Sequence, residues 1–207
     1  MLKYIKNRIL RGYDLNLLAV VGISTLVLVL EHYRPLSIDF HRATELIYYL
    51  LVPLAAGWLL FRDKPWDYGI RVGRWKSAII LTVVCLAAMT LILYGVGKMP
   101  EFRSYYYEYA IDWPELLLNY ALYMFAWEFL FRGYMLFGLE KSIGKSAIFV
   151  QAIPFVLLHL GNPFLETLAC IPGGFILGYV AYRTRSFLPC FIIHLGVYVM
   201  MVFFANS

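Results

Sequence analysis

The chain has 207 residues, of which 62% are hydrophobic and 15% charged, with a formal charge of +5. A soluble domain carries about 25% charged residues, so an ordinary water-soluble fold is excluded and an all-α integral membrane protein is expected, one domain over residues 1–207. The basic residues lie in short loops between apolar runs, which predicts contact with the lipid bilayer and no nucleic-acid partner.

The N-terminal tail carries Lys3, Lys6, Arg8 and Arg11. No small-residue cleavage pattern follows before Glu31, so the first apolar run reads as a retained span. Seven apolar segments occur in order, at 15–30, 44–61, 77–97, 114–140, 146–161, 164–182 and 187–204. They predict a polytopic bundle of about seven transmembrane helices. A span takes about 20 residues, so the first and fifth segments are short, and half-burial or tilt is open for both. His32 and His41 fall in the first loop and read as surface residues. The turn-rich stretch Asp63-Lys64-Pro65-Trp66-Asp67-Tyr68-Gly69 connects the second and third segments.

The longest polar loop, 98–113, holds Tyr105-Tyr106-Tyr107 and ends at Pro114. Pro suits the first turn of a helix, and Asp112 is placed to cap it. The loop reads as an interfacial segment with a short amphipathic helix, or as a lid over a substrate. Gly174 and Gly178 have the GxxxG spacing of close helix packing, so no chemistry is assigned to them. Cys85, Cys170 and Cys190 stand apart in apolar stretches without a CxxC pair and are expected to be free, buried thiols.

Loop charge predicts orientation. Lys and Arg number thirteen on the side of the tail (with Arg62, Lys64, Arg71, Arg74, Lys76, Lys141, Lys145, Arg183 and Arg185) and four on the other (Arg34, Arg42, Lys98 and Arg103). The positive-inside rule then puts the N-terminus in the cytoplasm, and a bacterial plasma membrane is the expected location.

Four ionisable side chains stand deep in apolar segments: Glu128, Arg132, His159 and His194. Glu128 and Arg132 are one helical turn apart, acid first, the better order for an ion pair. A charge at a membrane-helix centre costs roughly 2.5–3.5 kcal/mol and usually faces protein or water. At about 1.5 Å per residue, Glu128 and His159 lie roughly 18 and 20 Å along their spans from the basic side, and His194 roughly 12 Å. One carboxylate and two imidazoles at similar depth fit water-activating chemistry. Plainer readings stand beside it. The Glu–Arg pair can be structural, and a lone His can bond a neighbouring backbone carbonyl. Glu128, His159 and His194 also form a possible divalent-metal set by ligand type, although no HExxH is present. Glu166 sits near a span end and reads as solvated. No GxSxG occurs, which disfavours a serine hydrolase.

Three spacings occur in order: Trp127-Glu128-x-x-x-Arg132, Phe155-x-x-x-His159 and His194-x-x-x-Tyr198. Over 114–204, the half that carries these motifs, the chain resembles the CAAX-protease and bacteriocin-processing (Abi, CPBP) family of intramembrane proteases. That family is marked by Glu-Glu-x-x-x-Arg, Phe-x-x-x-His and His-x-x-x-Asn. The Asp67-Tyr68-Gly69-Ile70 stretch is similar to a common upstream feature of the family. The resemblance implies an endopeptidase acting on a membrane-associated peptide or protein, without a cofactor. It implies that Glu128 (as general base) and His159 poise a water, that His194 with Tyr198 stabilises the oxyanion, and that Arg132 holds the glutamate helix. Two departures stand out. The family's first glutamate is Trp127 here, which cannot take a proton, and its Asn is Tyr198, which keeps a hydroxyl donor. The alternative expectation is a silent relative that binds a peptide, such as a bacteriocin-immunity protein.

Overall fold

The computed structural model describes residues 12–33, 43–107 and 111–207. Within them the chain is an all-α membrane bundle of seven longer helices and one short one. They are α1 (Leu15–Tyr33), α2 (43–61), α3 (Trp75–Val96), α4 (Pro100–Tyr106), α5 (113–143), α6 (147–157, interrupted at Gln151), α7 (Phe164–Thr184) and α8 (Leu188–Ala205). Each apolar segment of the sequence is one of the longer helices. Among the described residues α1, α3, α7 and α8 are long and apolar enough to cross a membrane. The short fifth segment is the interrupted α6. It ends at Leu157, because Gly161 takes a left-handed φ of 104° and Pro163 follows.

Helix α5 is the axis of the bundle. It starts as the sequence predicts, with Asp112 accepting the backbone N–H of Glu115 at 3.1 Å and Pro114 in the first turn. Every residue from Ala126 to Leu139 is buried, while the turns before Tyr123 are half-exposed or exposed. A helix apolar on all sides belongs in a core. Helices α1, α2, α7 and α8 pack around it, and α3 lies outside against α8. Residues Phe129–Met135 widen into a π-turn, and Leu46–Leu51 of α2 form a second one in contact with it.

Glycines set the close approaches. A Cβ on Gly133 would stand 2.8 Å from the carbonyl oxygen of Tyr68, so only a bare backbone lets the Asp67-Tyr68-Gly69 turn seat on α5. Gly174 and Gly178 pack α7 on α6, where an added Cβ would meet Ala152 at 3.0 Å and Gln151 Nε2 at 2.5 Å respectively. The predicted small-residue contact is therefore a packing seam.

Basic loops gather at one end of the bundle. Arg71 Nε donates to the Arg185 carbonyl, the Arg74 backbone N–H to the Thr184 carbonyl, and Lys141 to Asp63. Lys98 and Arg103 lie at the opposite end, with α4. Lys3, Lys6, Arg8, Arg11, Arg34, Arg42 and His41 fall outside the described residues. All three cysteines are free; Cys190 is buried, but Cys85 and Cys170 are only half-buried, because their helices turn a face outward.

Candidate active site

Glu128 closes the regular part of α5, just before the π-turn, and its side chain is fully buried. One oxygen, Oε1, takes two donors. Arg132 Nη1 donates from one turn on at 3.1 Å, and His194 Nδ1 donates from α8 at 2.6 Å. Arg132 is also fully buried, with its guanidinium carbon 3.9 Å from the centroid of the Phe155 ring. A cation over an aromatic face in a desolvated site is worth about 2 kcal/mol. Three further polar groups here have no hydrogen-bond partner among the described residues: Glu128 Oε2, Arg132 Nε with Nη2, and Trp127 Nε1. Such groups are costly in a dry core and are commonly met by bound water.

His159 sits not within a helix but on the turn just past α6. The sequence placed it inside the fifth span. Its Nδ1 donates to the Phe155 carbonyl at 2.7 Å, the local backbone bond that the plain reading of a membrane His anticipates. That bond leaves Nε2 as the acceptor. Its ring lies 6.3 Å from the His194 ring, nearly parallel at 28°, with Phe155 beside both. The three predicted groups are therefore brought together from α5, the α6–α7 turn and α8.

The pairing differs from the expected one. Glu128 bonds His194 directly; the neighbour of His159 on α5 is Trp127, whose ring stands 6.0 Å away edge-on. The cause is helical geometry. Adjacent residues point about 100° apart, so when position 127 faces His159, position 128 faces α8. The same geometry bears on the metal set. Among the described residues no group of three or more His, Cys, Asp and Glu side chains is arranged to hold a metal ion. Glu128 and His194 bond each other, and His159 Nδ1 is engaged by backbone.

Tyr198 stands one turn beyond His194 on α8 and stacks on Tyr120 with ring centroids 3.9 Å apart. Tyr106 of α4 meets it edge-on at 6.2 Å. His194 keeps 15% of its side chain exposed, and the half-exposed turns of α5 lie on the α4 side. Toward the basic end the site is closed by the buried stretch of α5 from Ala126 to Leu139.

Glu166 corrects the sequence reading. It is half-buried and accepts the Tyr106 hydroxyl and the Asn162 amide, each at 2.7 Å. A long-range partner such as Tyr106 leaves no trace in local spacing. A wide cleft at the basic end, about 590 Å³ and lined by Asp63, Arg71, Glu140 and Arg185 among others, is separate from this cluster.

Residues 109–200, just under half the chain, match the family model described as Type II CAAX prenyl endopeptidase Rce1-like. Comparison with curated proteins and with solved structures gives no match. Glu128, Arg132, His159, His194 and Tyr198 all fall inside the matched residues, so the part of the chain that holds the site is similar to the Rce1-like CAAX prenyl endopeptidases.

Proposed function

We propose that the protein is an intramembrane endopeptidase that cuts a peptide or protein in or beside the bilayer, using a water activated by a Glu128-backed imidazole. The observation that carries this reading is the 2.6 Å bond between His194 Nδ1 and Glu128 Oε1. A carboxylate on Nδ1 fixes the tautomer with its lone pair on Nε2 and stabilises the imidazolium that forms there. Arg132 keeps Glu128 ionised in an apolar surround.

In this scheme His194 Nε2 takes one proton of the water as its oxygen adds to the scissile carbonyl. His159 Nε2 accepts a hydrogen bond from the other O–H, which stays intact, and so aims the lone pair. Two hydrogen bonds of about 2.8 Å meeting at one water suit the spacing of the rings. Tyr198 is the donor for the oxyanion, from the turn above. The His194 imidazolium then gives its proton to the leaving amine as the C–N bond breaks. The roles of the imidazoles are thus exchanged relative to the expectation from sequence. The substrate class to try first is a prenylated C-terminal peptide, given the description of the matching family model. The N-terminus is assigned to the cytoplasm on loop charge.

Purified protein in nanodiscs, given a peptide pool with and without a farnesyl group, tests the reading by mass spectrometry. Cleavage that His194→Ala reduces by about 10²–10⁴-fold supports it; cleavage unchanged in that variant refutes it. One observation favours a second reading, a peptide-binding relative without activity. Trp127 stands against His159 at the position where the family motif has a glutamate. That reading predicts equal peptide binding by wild type and Glu128→Gln, with no product from either.

A further inference from the structure

We propose that Glu166 is a positioning residue for His159, tying the short helix α4 to the turn that carries the imidazole. Its consequence for catalysis rests on the endopeptidase reading above; the positioning itself rests on geometry alone.

Each oxygen of the Glu166 carboxylate takes one donor. Oε2 accepts the Tyr106 hydroxyl and Oε1 the Asn162 Nδ2, both at 2.7 Å. Asn162 Oδ1 in turn accepts the Tyr105 hydroxyl at 2.9 Å. The Asn162 backbone N–H donates to the His159 carbonyl at 3.1 Å, and Thr167 Oγ1 donates to the same carbonyl at 2.7 Å. Two more bonds anchor α4: Glu101 accepts the Phe164 N–H at 3.0 Å, and Asn206 donates to the Tyr106 carbonyl at 2.9 Å. Helix α4 is therefore a strap sewn to the start of α7, the end of α8 and the His159 turn.

The turn needs such an external hold. Gly161 has a φ of 104°, and apart from its chain neighbours no described atom comes within 4 Å of where its Cβ would be, so that side of the turn is open. Among the described residues the His159 ring has one hydrogen bond of its own, to Phe155. An acid in the first turn of a helix is favoured by the helix dipole alone. The dipole, however, does not call for two side-chain donors from different segments. Hydrogen bonds to a carboxylate are roughly twice as strong as neutral ones. Burial and the neighbouring Glu166 also raise the Tyr106 hydroxyl above its ordinary pKa, so it stays a donor across the physiological range.

The test uses the full chain in nanodiscs and the reactivity of the His159 imidazole toward diethylpyrocarbonate, read by peptide mass spectrometry. Glu166→Ala is expected to speed modification of His159 at least about fivefold, the effect of one lost hydrogen bond. Glu166→Gln is expected to restore slow modification. Its amide oxygen can accept from Asn162 while its nitrogen donates to the Tyr106 oxygen. Tyr106→Phe cuts only the strap arm, keeps the fold if Glu166→Ala does not, and is expected to fall between. On a cleavable peptide, Glu166→Ala should lower kcat and leave KM in place. His159 reactivity equal to wild type in both Glu166→Ala and Tyr106→Phe, or a Gln variant as reactive as Ala, overturns the proposal. If the wild type cleaves nothing, the endopeptidase reading falls while the reactivity series still decides this one.

Discussion

Replacing Arg132 by Met isolates the charge that keeps Glu128 ionised. Met retains the apolar stem, so packing changes little. What goes is the 3.1 Å bond to Glu128 Oε1, worth about 1.5–3 kcal/mol for a charged group, and the cation over Phe155, worth about 2 kcal/mol. What remains is a fully buried carboxylate held, among the described residues, by His194. Breaking a buried pair from one side costs about 3–5 kcal/mol, whereas removing both partners is often close to neutral. Arg132→Met should therefore lose about 3–5 kcal/mol, and Glu128→Gln combined with Arg132→Met should be more stable than Arg132→Met alone. The four proteins form a cycle with an expected coupling of about 1–3 kcal/mol. Reversible unfolding in mixed micelles, followed by tryptophan fluorescence, measures it. Additivity within about 0.5 kcal/mol would show that the two charges do not act as a pair and that Arg132 does not hold Glu128 in the site.

Gly133→Ala forces a methyl against the Tyr68 carbonyl and the Phe129 ring, each 2.8 Å away, and should destabilise by about 1–3 kcal/mol in the same assay. The Tyr68 hydroxyl, which donates to Asp63 at 2.6 Å, is held above its ordinary pKa, first by burial and then by that hydrogen bond. Its stability contribution is complete below about pH 10, the unfolded value, and declines as pH rises toward the higher folded value. Tyr68→Phe should accordingly flatten the alkaline fall of stability, which a series of unfolding midpoints above that pH will reveal. Cleavage by side chains alone predicts a rate unchanged by a chelator such as EDTA. A loss restored by a divalent cation would argue for a metal on Glu128, His159 and His194.

The bundle was legible because each apolar run reports one helix, four of them long and apolar enough to cross a membrane. All seven segments are helices, and the Asp112–Pro114 start of α5 is where capping chemistry puts it. The Glu128–Arg132 pair was equally visible, since one helical turn joins the two residues. What the sequence concealed depends on contacts between helices. Nothing in Phe129–Met135 announces a π-turn, which lies against the second π-turn in α2. The choice of His194 over His159 as the partner of Glu128 follows from the rotation of α5 about its axis, fixed by Gly133 against the Tyr68 turn. Glu166 read as solvated because its partners, Tyr106 and Asn162, lie across the α4 strap and on the preceding turn. Trp127 was readable as a departure from the motif, and its seat beside His159 gives that departure a physical meaning.

In the proposed mechanism Glu128, through His194, activates a water for peptide hydrolysis. Incubating wild type and Glu128→Gln with a farnesylated peptide in ¹⁸O-water, and weighing the products, measures that step directly. Wild type is expected to give a new C-terminal carboxylate carrying ¹⁸O, formed about 10²–10⁴-fold more slowly with the Gln variant. A wild type that yields no product, or a Gln variant that works at the wild-type rate, would contradict the mechanism.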